Sequence, residues 1–284
     1  MFGFLNVYKP KGITSHDVVS VLRRITKVKQ IGHTGTLDPF AEGVLPICIG
    51  KATRLIEYLD DDKAYTGTIQ LGSSTTTYDL EGEEVNFSDK KVTLNEIEAA
   101  LDKFRGEIEQ LPPIYSAIKV NGKKLYEYAR EGKEVKIEPR RVNISKLEIL
   151  EYDETSRRLT LHIECSKGTY IRSIAHDLGT ELTTFGHLVK LVRVKAGMFE
   201  VNNAVSLEHI QTKEDVEKLL IAPLEMLNYE QKELTTKEIE LVSHGMSIRT
   251  NSTNTGIILL TFKDNLAAVA EIQNQSLKCK KVFI

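Results

Sequence analysis

Strand-like runs outnumber helices along this chain and do not alternate with them, and that pattern narrows the fold more than any other feature. Residues 4–8, 63–71, 142–150, 158–165 and 188–194 are short, β-branched or alternating segments bounded by turn residues, as strands are. Residues 45–49 form a further short apolar run. Helical spacing appears at Val18, Val19, Leu22 and Ile25, over residues 52–59, at Leu94, Ile97, Leu101 and Phe104, and over residues 170–182. Thr14 with Asp17, and Thr93 with Glu96, are capping boxes that open two of these helices, and Gly106 closes the second. A parallel doubly wound sheet needs a helix between successive strands. That rhythm is missing, so the expectation is an α+β fold with a mixed, mostly antiparallel sheet.

The 284 residues suffice for one sizeable core and a small satellite. Residues 256–262, 266–272 and 277–283 are three strand-like runs separated by turns, which predicts a small β-rich domain over 232–284 after a larger one over 1–231. No stretch approaches the ~18 apolar residues of a membrane span, and the first residues lack a basic region followed by an apolar one. A cytoplasmic protein with no membrane partner is expected. Cys48, Cys165 and Cys279 are far apart and form no CxxC pair, and the seven histidines form no HExxH motif, which argues against a disulfide framework and against a metal. The thiols are expected to be buried and inert.

A net charge of -2 conceals a segregation. Residues 1–59 carry eight Lys/Arg against four Asp/Glu, residues 119–146 nine against four, and residues 201–245 four against nine. Such a chain can present a positive face to phosphates while staying near neutral overall. From charge alone, an ordinary solvated surface explains the same counts.

The most informative stretch is residues 32–46, Gly-His-Thr-Gly-Thr-Leu-Asp-Pro-Phe-Ala-Glu-Gly-Val-Leu-Pro, which reads as a loop. Gly32, Gly35 and Gly43 permit backbone shapes that other residues resist, and Pro39 restricts both its own φ and the conformation of Asp38. Catalytic groups concentrate on loops held by a rigid scaffold, and a carboxylate so placed suits a nucleophile. An Asp before Pro between glycines also serves as a plain turn former. The segment lacks the terminal Gly-Lys-Ser/Thr of a phosphate-binding P-loop. An acid/base pair of Asp38 with Glu42 would require a carboxylate separation that four loop residues do not fix.

Four motifs decide between these readings. The Gly-His-Thr-Gly-Thr-Leu-Asp-Pro core, Lys63-Ala64-Tyr65 ahead of a strand, Lys119-Val120-Asn121-Gly122, and Ser166-Lys167-Gly168-Thr169-Tyr170-Ile171-Arg172 occur in that order over residues 1–200. Together they resemble the TruB family of tRNA pseudouridine synthases. The resemblance implies the pseudouridine synthase fold, with a PUA-like RNA-binding module at the C-terminal end. It also implies isomerisation of uridine 55 in the T loop of elongator tRNAs, in which the glycosidic bond is cut and the base is turned and rejoined through carbon. Neither cofactor nor metal takes part in the family's reaction.

The same resemblance assigns residues. Asp38 becomes the nucleophile, attacking either the uracil ring or the ribose. Tyr65 becomes the active-site tyrosine against which the flipped base stacks, worth ~1 to 3 kcal/mol per base. Arg172 becomes the arginine that holds Asp38 ionised and oriented. Tyr170 belongs to the same substrate-binding motif, Leu191 lines the pocket, and His33 replaces the extruded base in the RNA. Without the motifs, Tyr65 is a strand aromatic, Arg172 a surface residue, Leu191 strand core and His33 a turn side chain. Residues 115–141 become an insertion that clamps the T arm, with Lys119, Lys123, Arg140 and Arg141 on the RNA backbone. Glu127, Glu131 and Glu134 make ordinary helix pairing a rival account of that stretch. Lys9 and Lys11 near the first turn are expected phosphate contacts, as are Lys278, Lys280 and Lys281 near the end. A monomer is expected, and a tRNA-folding activity beyond the modification.

Overall fold

The computed structural model describes residues 1–252 and 254–284. Strand β1 (Gly3–Lys9) turns into helix α1 (Ser15–Thr26) through the expected capping box. The Thr14 hydroxyl accepts from the Asp17 amide at 3.1 Å, and the Asp17 carboxylate accepts from the Thr14 amide at 2.8 Å. The helix ends where Lys27 turns left-handed at φ 58°. Two strands follow, β2 (Ile31–His33) and β3 (Glu42–Ile49), so the expected loop of residues 32–46 contracts to residues 34–41.

Beyond a 3-10 segment (Gly50–Tyr58) come β4 (Lys63–Leu71), the hairpin β5 (Ser73–Thr75) and β6 (Glu84–Phe87), α2 (Leu94–Leu101) and β7 (Gly106–Gln110). The segment expected to clamp RNA holds a miniature hairpin, β8 (Lys119–Val120) with β9 (Lys123–Lys124), and helix α3 (Leu125–Arg130). Strands β10 (Arg140–Asp153) and β11 (Arg158–Cys165), helix α4 (Ile171–Glu181) and strand β12 (Gly186–Ala196) complete the part that carries the site. The short β13 (Phe199–Glu200), β14 (Val205–Ser206) and α5 (Lys213–Lys218) follow.

Ten strands form one sheet in the order β14-β1-β3-β12-β4-β11-β10-β7, with β13 beside β12 and β2 beside β3. Only β1 with β14 and β12 with β3 run parallel, so the mixed, mostly antiparallel α+β expectation holds. Period-two alternation puts Leu159, Leu161 and Ile163 of β11 on one face, where Ile174, Ala175 and Leu178 of α4 and Ile97 and Leu101 of α2 cover them. The same core takes in Leu37 and Phe40, on either side of Asp38, and so roots the loop in buried apolar surface. Gly43 shows why glycine stands where β3 leaves that loop. It lies opposite Arg193 of β12 with φ 110°, and a Cβ there would fall 2.3 Å from the Arg193 carbonyl oxygen. Of the three loop glycines it alone has a positive φ.

A second sheet, β15-β17-β18-β19-β16, is built from β15 (Glu230–Glu233), β16 (Ile248–Arg249), β17 (Gly256–Phe262), β18 (Asn265–Gln273) and β19 (Ser276–Val282), with helix α6 (Thr236–Ser243) beside it. The C-terminal part is β-rich as expected. Its first strand straddles the expected start at residue 232. Leu259, Val269 and Phe283 of this part share one core with Phe4, Val44, Cys48 and Leu55, so the two sheets are joined by buried apolar surface. Cys48 and Cys165 are buried, which pushes their thiols up to about 12 and about 11, whereas Cys279 is only half-buried.

Candidate active site

The loop of residues 34–41 is tied down at nearly every step. Thr34 donates to the Pro46 carbonyl at 3.1 Å, and the Ala41 amide to that of Asp38 at 3.1 Å. The Ser15 hydroxyl accepts from the Leu37 amide at 2.8 Å and donates to the Leu37 carbonyl at 3.1 Å. The Pro39 carbonyl accepts from the Gly12 amide at 2.9 Å. From β12, the wholly buried guanidinium of Arg193 reaches the carbonyls of Gly35 at 3.1 Å, Thr36 at 3.5 Å and Val44 at 2.6 Å. Buried carbonyls left without donors would be costly, so Arg193 both satisfies the loop and sets its shape.

Lys9 does the same from β1, and this corrects its expected role. It is completely buried, and its ammonium donates to the carbonyls of Ile13 at 2.7 Å, Pro10 at 2.8 Å and Pro39 at 3.3 Å. Burial lowers its pKa to about 8. No phosphate can reach a cation enclosed beneath the loop; Lys9 pins the loop instead. Lys11 is exposed beside it.

Asp38 emerges from this scaffold against Arg172, at the start of α4. Arg172 Nη2 donates to Oδ1 at 3.4 Å, while Nε lies 2.9 Å from Oδ2 but off the line of a hydrogen bond, so that contact is mainly coulombic. The guanidinium is fixed by three further groups: the Thr77 carbonyl at 3.1 Å, the Tyr115 carbonyl at 3.1 Å and the Asp79 carboxylate at 3.4 Å. Asp79 is itself held by the Thr77 hydroxyl at 2.6 Å and the Glu81 amide at 3.0 Å. Withdrawal from water raises the Asp38 pKa above the ordinary carboxylate value, with Arg172 pulling it back and Asp79 adding to the rise. About a third of the side chain, 34%, still opens onto a cavity of about 740 Å³, room enough for a nucleotide.

Tyr65, Tyr170, Arg172 and Leu191 all line this cavity with Asp38. Tyr65 and Leu191 stand on the adjacent strands β4 and β12, both nearly buried, and give it an aromatic and an aliphatic wall. Burial raises the Tyr65 phenol, against the pull of Arg193. Tyr170 caps α4, and its backbone is clamped by buried Gln110, whose amide accepts from the Tyr170 N–H at 2.7 Å and donates to its carbonyl at 3.0 Å. The cavity's far wall comes from the segment after β7, through Tyr115, Ser116, Tyr126 and Arg130.

The model of the TruB family pseudouridylate synthase N-terminal domain matches residues 23–171, and that of the tRNA pseudouridylate synthase B C-terminal domain matches residues 172–227. The chain belongs to the TruB family. The tRNA pseudouridine synthase B of Clostridium novyi is 46% identical over 250 residues, 87% of this chain and 86% of the relative. That of Caldanaerobacter subterraneus is 41% identical over 287 residues, 99% of each. A crystal structure of a Cbf5-Nop10-Gar1 complex contains a chain with the same fold, at TM-score 0.74 and 24% identity, covering 100% of this chain and 85% of that one.

In this TruB chain the remaining expected residues lie outside the cavity. His33 ends β2, immediately before the cavity-lining Thr34; burial lowers its pKa, and its buried Nδ1 has no partner. Lys119, Arg140 and Arg141 are exposed on the arm of residues 115–141 and at its return to β10. Lys123, on the same arm, is part-exposed; its ammonium pairs with Glu131 and sits 5.0 Å from the Tyr128 ring centre. Lys280 pairs with Glu271 at 2.7 Å and Lys281 with Glu57 at 3.1 Å, leaving Lys278 as the exposed member of that trio outside any such pair among the described residues. Asp60, Asp61 and Asp62 form an exposed acidic cluster, and Lys167 holds Asp61 at 2.5 Å.

Sequence reasoning missed Asp79, Gln110 and Arg193. Only Arg193 carried a signal: a cation two residues after Leu191 in an apolar strand must share its buried face.

Proposed function

We propose that this protein isomerises a uridine of the tRNA T arm to pseudouridine, uridine 55 as the family resemblance implies, with Asp38 as nucleophile. The observation that carries the reading is the Asp38–Arg172 pair at the mouth of a cavity walled by Tyr65 and Leu191. A carboxylate held by a guanidinium is ionised and aimed, and an aromatic and an aliphatic wall in the same cavity suit a base turned out of its stack. The N1–C1′ bond breaks, the uracil rotates, and a C5–C1′ bond forms as C5 loses its hydrogen and N1 gains one. The reaction has no net redox change, so its stoichiometry calls for no cofactor. Asp38 holds the ring or the ribose covalently between the two bonds.

His33, at the rim, fits the role of filling the gap the extruded base leaves. Lys11, Lys119, Arg140 and Arg141 would fix the duplex by its phosphates, leaving selection to the pocket's shape. Residues 1–231 would do the chemistry, with residues 232–284 as a PUA-like RNA-binding module. The exposed basic arm also supports a tRNA-folding activity, which refolding of tRNA with Asp38→Asn protein would reveal. We take the protein to act as a monomer in the cytoplasm, an assignment tested by sedimentation with and without RNA and by cell fractionation.

The deciding experiment incubates unmodified T-arm RNA with the protein and with Asp38→Asn, in chelator. Pseudouridine from the wild type alone is the expected result. RNA bound by both and converted by neither would leave a tRNA-remodelling protein, and release of free uracil would make it a glycosidic hydrolase.

A further inference from the structure

We propose that Ser116 is a substrate-binding residue whose hydroxyl pairs with a polar group of the extruded uridine, an inference that rests on the function proposed above. Ser116 is 5% exposed, and its Oγ is buried with no hydrogen-bond partner. A hydroxyl in that state costs a folded protein about 1–3 kcal/mol, so it calls for an explanation. Among the described residues, the other buried side-chain atoms without a partner belong to Asn6, His33, Arg172 and His176. Of all five residues only Arg172 and Ser116 line the cavity, and Arg172 Nε already faces the Asp38 carboxylate. Ser116 is therefore the one cavity-lining residue in this set whose buried side-chain atom nothing inside the protein accounts for.

Its backbone is not free to move away. The carbonyl of Tyr115, one residue earlier, accepts from Arg172 at 3.1 Å, and the Ser116 carbonyl accepts from the Tyr126 amide at 3.1 Å. With the backbone fixed, rotation about the Cα–Cβ bond is what brings the buried hydroxyl out to the cavity, beside the segment that holds Arg172. A hydroxyl both donates and accepts, so it matches a ring carbonyl, a ring N–H or the ribose 2′-hydroxyl. The arrangement also links recognition to chemistry: one arm segment gives Arg172 an acceptor and the nucleotide a hydrogen bond.

The test is Ser116→Ala, assayed on T-arm RNA and melted without RNA. Removing one hydrogen bond should lower kcat/KM about three- to tenfold. The free protein should melt at the same temperature or higher, because the hydroxyl has no protein partner to lose. Unchanged kcat/KM overturns the proposal, and so does a lowered melting temperature, since that signals a structural role. An inactive wild type would instead sink the proposed function. Repeating the comparison on RNA with 2′-deoxyuridine at the target separates the two sources of the partner: a penalty that vanishes places it on the ribose, and one that persists places it on the base.

Discussion

The cavity has two kinds of wall. The loop of residues 34–41 is held by three buried side chains, Ser15, Lys9 and Arg193, each bonded to its backbone carbonyls. Beyond Ser116 the arm is held chiefly at its surface, by Lys123 with Glu131, Lys133 with Glu131 at 3.0 Å, and Lys136 with Glu138 at 2.7 Å. Leu125 is its one fully buried apolar anchor among the described residues. Buried cation–carbonyl bonds have no substitute when broken, whereas exposed pairs exchange with water, salt or phosphate at little cost. The proposed nucleophile thus stands on the wall that cannot adapt, and the cations proposed to meet RNA on the wall that can.

The strongest way to break that division is at Asp38. Asp38→Asn should cut single-turnover conversion by at least about a thousandfold, with RNA affinity kept within about threefold. Retained turnover would mean the rigid wall does not carry the chemistry. The pH profile sharpens the point. Asp38 must be ionised to attack, and its folded pKa lies above the ordinary value of 3.8, so the acid limb of kcat/KM should lie above that value. Asp79 contributes to the rise, so Asp79→Asn should move the limb to lower pH. A raised carboxyl stabilises the fold at pH below 3.8, and that contribution is lost as pH climbs through the folded value. Ionised Asp38 therefore costs stability near neutrality, and Asp38→Asn should melt no lower than the wild type.

Next in size is Arg193→Met, which strands two loop carbonyls and that of Val44 in β3. It should cost about 3 kcal/mol, read as a lower denaturant midpoint, and should slow turnover by misplacing Asp38. Its counterpart on the adaptable wall, Lys123→Ala, should cost less than about 0.5 kcal/mol. Equal losses at the two sites would erase the distinction.

The same contrast explains what could be read in the sequence. Asp38, Tyr65 and Arg172 are legible because they sit in motifs whose order marks the family, Leu191 by its place relative to them, and β4 and α4 because their periodicities are clean. Arg193, Gln110 and Asp79 act on groups far along the chain, and a sequence shows a residue's type but not its partner. Lys9 was misread for that reason: a lysine before Pro-Lys-Gly looks solvated until three carbonyls close around it. Strand β15, Glu-Gln-Lys-Glu, has no apolar alternation because it is an exposed edge strand, parallel to β17 and tied to it by backbone bonds and by the Glu233 carboxylate, which accepts from the Thr261 hydroxyl at 2.7 Å.

The smallest effects should come from the arm's exposed cations. Arg140→Ala and Arg141→Ala should each weaken T-arm binding by a few-fold, roughly, and flatten the dependence of log Kd on log salt by about 0.7 to 0.9 for each phosphate left without its cation. Turnover at saturating RNA and the melting temperature should not change, because neither side chain lines the cavity and both are exposed. That triple outcome separates capture from chemistry. If saturating turnover fell while affinity and salt slope held, the arm's charges would be acting on the reacting nucleotide, and the two walls would be parts of one machine.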